Sequence, residues 1–175
     1  MLTDLGFRVS QVDPGVLQTW VQGDTLILAI HVNDCMITGS SSNLIAQYKK
    51  KIHVIYPFTD LGPIHWLLGI KITWDCKART TRLSQELYIK SILACFGLED
   101  AKGAMMPMVP GAVYSHEDAP NNPTDAAKMG KTPYQEAIGS LMYASVATRP
   151  DIMFTVSTLL QFLENPRIAH WEAVK

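Results

Sequence analysis

The segment Leu26-Ile27-Leu28-Ala29-Ile30-His31-Val32-Asn33-Asp34-Cys35-Met36-Ile37-Thr38-Gly39 constrains this chain most. An apolar run, a short polar turn and a second apolar run predict two strands of a hairpin. Leu26 to Ile30 is apolar at every position. That is the pattern of a strand in the middle of a sheet covered on both faces. Asn33-Asp34 is the expected turn, and Cys35 to Thr38 the returning strand. A second hairpin signal stands just upstream, where Trp20-Val21 meets Leu26 to Val32 through Gly23-Asp24. Before it, Leu5 to Gln22 is mixed and turn-rich, and Asp13-Pro14-Gly15 predicts a turn or bulge.

Helices follow the hairpin. Ser40-Ser41-Ser42 offers hydroxyl caps for a helix to about Tyr56, with Leu44, Ile45, Tyr48, Ile52 and Ile55 as its apolar stripe. Pro57 stops it. Asp60-Leu61-Gly62-Pro63 is a further turn. Trp66 to Trp74 is expected as a strand, with Trp66, Leu68 and Ile70 toward a core and Thr80 to Leu83 returning antiparallel. Ser84 caps a helix over Gln85 to Phe96 that ends at Gly97.

The texture then changes. Pro107, Pro110, Pro120 and Pro123, with Gly103, Gly111, Asn121 and Asn122, predict an extended connector rather than a packed element. Beyond it, Thr132-Pro133-Tyr134-Gln135 has the form of a capping box, and Ala137, Ile138, Leu141 and Ser145 follow on one face. Pro150-Asp151 opens a helix with the stripe Ile152, Val156, Leu159, Leu160 and Leu163, and Asn165-Pro166 restarts another. The expected class is α+β, with divisions at residues 1–97, 98–131 and 132–175.

Composition narrows the function. The 175 residues are 47% hydrophobic and 18% charged, which excludes wholesale disorder. A formal net charge of −1 gives no support for a free-standing nucleic-acid binder. Cys35, Cys76 and Cys95 form neither a disulfide framework nor a paired zinc spacing, which suits a reducing compartment. No apolar run reaches bilayer length, and Met1-Leu2-Thr3-Asp4 does not open a signal peptide. An intracellular protein, cytoplasmic or nuclear, is the expectation, with no membrane partner.

Several blocks in order resemble the copia-type retrotransposon reverse transcriptases. Gly6-Phe7 with Ser10 and Asp13-Pro14-Gly15 resembles the approach to the polymerase hairpin, and Ile30 to Gly39 the hairpin itself. Phe58-Thr59-Asp60-Leu61-Gly62 with Trp66-Leu67-Leu68-Gly69-Ile70-Lys71-Ile72 resembles the next block. Leu83-Ser84-Gln85 with Tyr88-Ile89 is similar to the following strand-to-helix junction. Pro133-Tyr134, Ile138-Gly139-Ser140-Leu141-Met142-Tyr143, Thr148-Arg149-Pro150-Asp151-Ile152 and His170-Trp171 resemble the downstream helical part. The resemblance runs from about Leu5 to the end. It implies a partial polymerase palm, an antiparallel sheet with packed helices, then a Pro-rich connector and a helical thumb-like region. It also implies that the fingers and an earlier palm strand bearing another essential aspartate belong upstream of Met1, and a ribonuclease H domain beyond Lys175.

In an intact relative this implies template-directed DNA synthesis on an RNA or DNA template-primer, using dNTPs and magnesium. The hairpin tip would carry an aromatic residue, a variable residue and two metal-binding aspartates. Here His31 stands in the aromatic position, Val32 in the variable one, and the first aspartate is Asn33. Asn33 brings a carbonyl oxygen without charge, and Asp34 is a single carboxylate for a hard cation that needs several. Stable magnesium binding by Asp34 is therefore not expected, nor is polymerisation by this polypeptide alone. Asp4 and Asp13 lie in no strand matching the missing motif. The plainer reading of Asn33-Asp34 is a good two-residue turn, and of His31 a partly exposed structural histidine.

Leu68, Gly69, Ile70 and Lys71, with the return near Arg82, resemble the element that positions the primer terminus, Gly69 allowing close backbone approach. An ordinary amphipathic hairpin is the compatible alternative. Lys49-Lys50-Lys51 is a solvated helix face with phosphate contact as the minor option, and Arg149 and Asp151 are helix-start residues. His53, His65, His116 and His170 have no metal-ligand spacing. Met105-Met106-Pro107-Met108 makes apolar linker contacts. Two other expectations stand beside the degenerate polymerase segment. One is a non-catalytic module that binds nucleic acid, the remaining polymerase subdomains or itself; the other is a remnant without function.

Overall fold

A computed structural model describes residues 1–109, 111–115 and 123–175. Pro110, His116, Pro120, Asn121 and Asn122 therefore lie outside the described residues. The architecture is α+β, with antiparallel sheets and several helices. It divides into two compact units, Met1–Leu67 and Leu68–Lys175.

The first unit is a four-stranded antiparallel sheet in the order β1-β2-β3-β4, made of β1 (Arg8–Val9), β2 (Val16–Val21), β3 (Asp24–His31) and β4 (Asp34–Gly39). The strand signal at Trp20-Val21 is thus the end of a longer strand that starts at Val16. Cross-strand partners share a face, so Leu17, Leu28 and Ile37 point one way together with Thr19 and Leu26. That face meets helix α1 (Ser42–Ile55) through Leu44, Tyr48 and Ile52, and Phe7 completes the core. Each fully buried leucine there contributes roughly 1.5–3 kcal/mol. Ser41 caps α1 by accepting the Leu44 N–H (3.4 Å), and the Tyr48 hydroxyl donates to the Leu5 carbonyl (3.2 Å). Ile55, the last residue of the expected stripe, is exposed.

The other face of the sheet is open. Trp20, Ile27 and Val16 lie on it with Ala29 and Met36, and both Trp20 and Ile27 are exposed. The expectation of a sheet covered on both faces is corrected for this chain. An apolar run can mark a doubly covered strand, but cannot supply the second cover. Strand β5 (Trp66–Leu67) closes the unit.

The second unit opens with β6 (Ile70–Asp75) and β7 (Thr80–Ser84), an antiparallel hairpin in which Lys71 pairs with Ser84. The strand expected over Trp66 to Trp74 is broken: Leu68 and Gly69 form a turn, with φ of 51° and 75°. Trp66 and Leu68 are exposed, so the expected inward face is corrected as well. Helix α2 (Glu86–Cys95) follows, its Glu86 N–H bonded to the Ser84 hydroxyl (3.3 Å) and its end turned by Gly97 at φ 64°.

Helix α3 (Pro123–Met129) falls inside the expected connector, and Met129 is buried, so that stretch is not wholly extended. Met105 and Met106 are exposed rather than packed. Helix α4 (Tyr134–Ala147) starts without the predicted capping box, because the Thr132 hydroxyl donates to the Lys128 carbonyl instead (3.1 Å). A 3-10 turn (Pro150–Ile152) leads into α5 (Met153–Leu160), and α6 (Ile168–Val174) begins two residues after Asn165-Pro166. Tyr134, Ile138 and Leu159 form the core here, and the buried Tyr134 hydroxyl donates to the Leu159 carbonyl (2.8 Å). Desolvation pushes the Tyr134 phenol up to about 12. Among the described residues, no helix is long and apolar enough to cross a membrane.

Candidate functional site

The β3–β4 tip is built by register. His31 pairs with Asp34, so the two turn residues are Val32 and Asn33, and Asp34 is the first residue of β4. The turn expected at Asn33-Asp34 therefore sits one residue earlier. The same one-residue correction applies upstream, where Val21 pairs with Asp24 and the turn is Gln22-Gly23. Asx and glycine cues mark the neighbourhood of a turn, while pairing decides which two residues occupy it.

Val32 has φ of 52° and is 83% exposed. A β-branched residue in the left-handed region is strained by its own Cβ, and no packing covers this one. His31, Asn33 and Asp34 are all exposed. His31 and Asp34 lie on the open face of the sheet, continuous with Ala29 and Met36. Cys35 lies on the opposite face beside Ile30; desolvation raises its thiol above the ordinary range although the residue as a whole is exposed.

A contact that the sequence reading missed holds the tip from behind. The Ile30 N–H donates to the Gly15 carbonyl (2.8 Å), and a Cβ on Gly15 would stand 2.8 Å from the Ile30 carbonyl oxygen. Asp13 shapes that approach by accepting the Gly15 N–H (2.8 Å). The signal was Asp13-Pro14-Gly15, which marks a turn without saying which strand it presses on.

The tip gives a cation one carboxylate, one amide oxygen and an imidazole. Among the described residues no group of three or more His, Cys, Asp or Glu side chains could hold a metal ion.

The second predicted group, Leu68, Gly69, Ile70 and Lys71, belongs to the other compact unit. Leu68 and Gly69 are the turn, and Ile70 and Lys71 open β6. A Cβ on Gly69 would meet nothing within 4 Å, so its glycine serves the positive φ rather than a close approach. Lys71 is exposed; the hydrogen bond and charge of Lys90 hold the Glu86 carboxyl below its usual range, with the charge of Lys71 the smallest contribution.

The basic run on α1 is only partly free. Lys49 pairs with Asp60 (2.8 Å) and Lys51 lies over the Tyr48 ring (4.7 Å). Arg149 and Asp151 pair with each other (2.7 Å) at the start of the 3-10 turn. His170 is fully buried against Phe162, ring centroids 3.9 Å apart, in the helical core.

Comparison with known proteins gives this geometry a lineage. The profile described as "Reverse transcriptase (RNA-dependent DNA polymerase)" matches residues 1–110. The chain is 39% identical over 164 residues to the retrovirus-related Pol polyprotein from transposon TNT 1-94 of Nicotiana tabacum, covering 93% of this chain and 12% of that protein. It is 30% identical over 180 residues to the retrovirus-related Pol polyprotein from transposon RE1 of Arabidopsis thaliana, covering 99% of this chain and 11% of that one. An uncharacterized mitochondrial protein of Arabidopsis thaliana is 29% identical over 150 residues, covering 86% of this chain and 58% of its own length. No solved structure matches. The chain thus spans about an eighth of the tobacco polyprotein. With its β3–β4 hairpin and the block that follows inside the matched region, the chain belongs to the reverse transcriptase (RNA-dependent DNA polymerase) family.

Proposed function

We propose that this chain is a partial palm of a retrotransposon reverse transcriptase, continued by a connector and a helical thumb-like segment, and that it does not polymerise DNA by itself. In this reading residues 1–97 are the palm portion, 98–131 the connector and 132–175 the thumb-like part. Intact relatives would extend a primer on an RNA or DNA template with dNTPs and magnesium.

The observation that carries the reading is Asn33 in the β3–β4 turn, next to a lone Asp34 carboxylate. A metal site that loses a carboxylate loses attraction for the cation and the electrostatic stabilisation that dominates such chemistry. Leu68 to Lys71 is the primer-positioning element of the same reading.

Primer extension on an RNA template with dNTPs and magnesium tests it, using the folded chain and an Asn33→Asp variant in parallel. No extension is expected from the unaltered chain. Template-dependent extension by it would overturn the inactivity. Extension by the variant alone would identify the amide as the lesion.

The exposed Trp20 and Ile27 on the open sheet face favour a second reading, a non-catalytic binding module. Affinity for a labelled primer-template that falls steeply with salt would support nucleic-acid contact. Salt-independent association would support a protein partner.

A further inference from the structure

Helix α4 makes a set of contacts that the polymerase reading leaves unused. Its Ser140 carbonyl accepts from the Tyr88 hydroxyl on α2 (3.3 Å). The Tyr143 hydroxyl donates to the Leu68 carbonyl, 75 residues earlier in the chain. Thr148, which ends α4, donates its hydroxyl to Gln85 Oε1 (2.7 Å), across 63 residues. Tyr88 and Tyr143 also meet edge to face, centroids 5.0 Å apart at 88°.

These contacts fall on the two roots of one element. Leu68 lies two residues before β6, and Gln85 directly follows Ser84, the last residue of β7 and the partner of Lys71. The hairpin between them has little burial to hold it, since Trp74 and Leu83 are both about half exposed. Gln85 by contrast is 2% exposed, so its bond to Thr148 is shielded from competing water. Where apolar packing is thin, a few long-range hydrogen bonds decide the pose.

We infer that α4 is the positioning element of the β6–β7 hairpin, with Tyr143 and Thr148 as positioning residues that tie its two roots to one rigid helix. The consequence for a bound primer rests on the reading of Leu68 to Lys71 given above; the tie itself does not.

Amide hydrogen exchange on the full chain tests it, with Tyr143→Phe, Thr148→Val and Thr148→Ser variants. Thr148→Val removes the donor at nearly constant shape, and exchange across residues 70–75 and 80–84 is expected to quicken about tenfold. Thr148→Ser keeps the hydroxyl and is expected to restore the native rate. Tyr143→Phe, at a more exposed bond, is expected to quicken the same amides a few-fold. Unchanged hairpin exchange, or equal acceleration through α5 and α6, would overturn the proposal. Anisotropy with a fluorescein-labelled RNA–DNA primer-template separates the two claims. A loosened hairpin with unchanged affinity would leave the tie standing and remove the primer-positioning role.

Discussion

At Gln22-Gly23 and at Leu68-Gly69 both turn residues have positive φ, 53° and 92° in the first, 51° and 75° in the second. This is the geometry that the right-handed twist of paired strands favours, and glycine at the second place removes half its steric cost. At Val32-Asn33 only Val32 is positive, at 52°. A turn with that pattern favours glycine first, yet a β-branched residue occupies the place. Gln22 and Leu68 are, like Val32, non-glycine residues at positive φ, but in their turns glycine takes the second place, and Val32 is the β-branched one of the three. A residue held in a sparsely populated backbone region costs of order 1–3 kcal/mol.

The largest effect is expected where a glycine is required by its neighbours rather than by its own φ. A Cβ on Gly39 would stand 2.6 Å from the Thr25 carbonyl oxygen, in backbone that cannot rotate away. Gly39→Ala is expected to lower stability by about 2–4 kcal/mol in denaturant unfolding. A loss below about 1 kcal/mol would mean that β3 and β4 shift apart easily.

The comparison of turns itself is tested by a pair of opposite changes. Gly23 has open space around its missing Cβ, so Gly23→Ala is expected to cost only about 1 kcal/mol, through φ alone. Val32→Gly is expected to stabilise the fold by up to about 1 kcal/mol, net of glycine's greater chain entropy. Destabilisation by Val32→Gly would break the claim that the tip is strained.

The smallest effect belongs to the Asp60-Leu61-Gly62 turn. The Asp60 carboxylate accepts from Lys49 Nζ (2.8 Å) and the Gly62 N–H (3.0 Å), which hold its pKa below the usual carboxylate range. A carboxyl with a lowered folded pKa binds its proton more readily when unfolded. Its contribution is present above the unfolded carboxylate pKa and is lost as pH falls through the folded one. Acid unfolding of Lys49→Ala should show a slightly weaker pH dependence in that window, since both groups are at the surface.

Much of the local structure was legible. Ser41 before the Leu44, Tyr48, Ile52 stripe specified α1, because capping and helical period act within a few residues. Gly97 after α2 marked its end, while at its start the N-cap is Gln85 without a side-chain bond and the expected cap Ser84 accepts the Glu86 N–H from one residue further out. Thr132 misled, because its hydroxyl found the Lys128 carbonyl inside the preceding turn, an equally local but competing bond. The strand through Leu68 misled because alternation over Trp66 to Trp74 continues across a turn without a break in pattern.

For the candidate site, the residues were legible and their geometry was not. His31, Val32, Asn33 and Asp34 could be named from the chain because the hairpin pattern and the family resemblance both point there. That Val32-Asn33 is the turn and Asp34 its first strand residue depended on the pairing of β3 with β4. A one-residue change of register exchanges the two faces of a strand, and only neighbours choose between registers.

The amino-acid sequence by itself determined the lineage, the α+β class, the Ser41 cap of α1 and the presence of an amide rather than a carboxylate at Asn33, all consequences of residue identity and short-range chemistry. Only the tertiary structure decided that one face of the first sheet stays open, that Gly15 presses on Ile30, and that α4 ties both roots of the β6–β7 hairpin. Those depend on groups from 15 to 75 residues apart, whose meeting is set by packing and register rather than by any local preference.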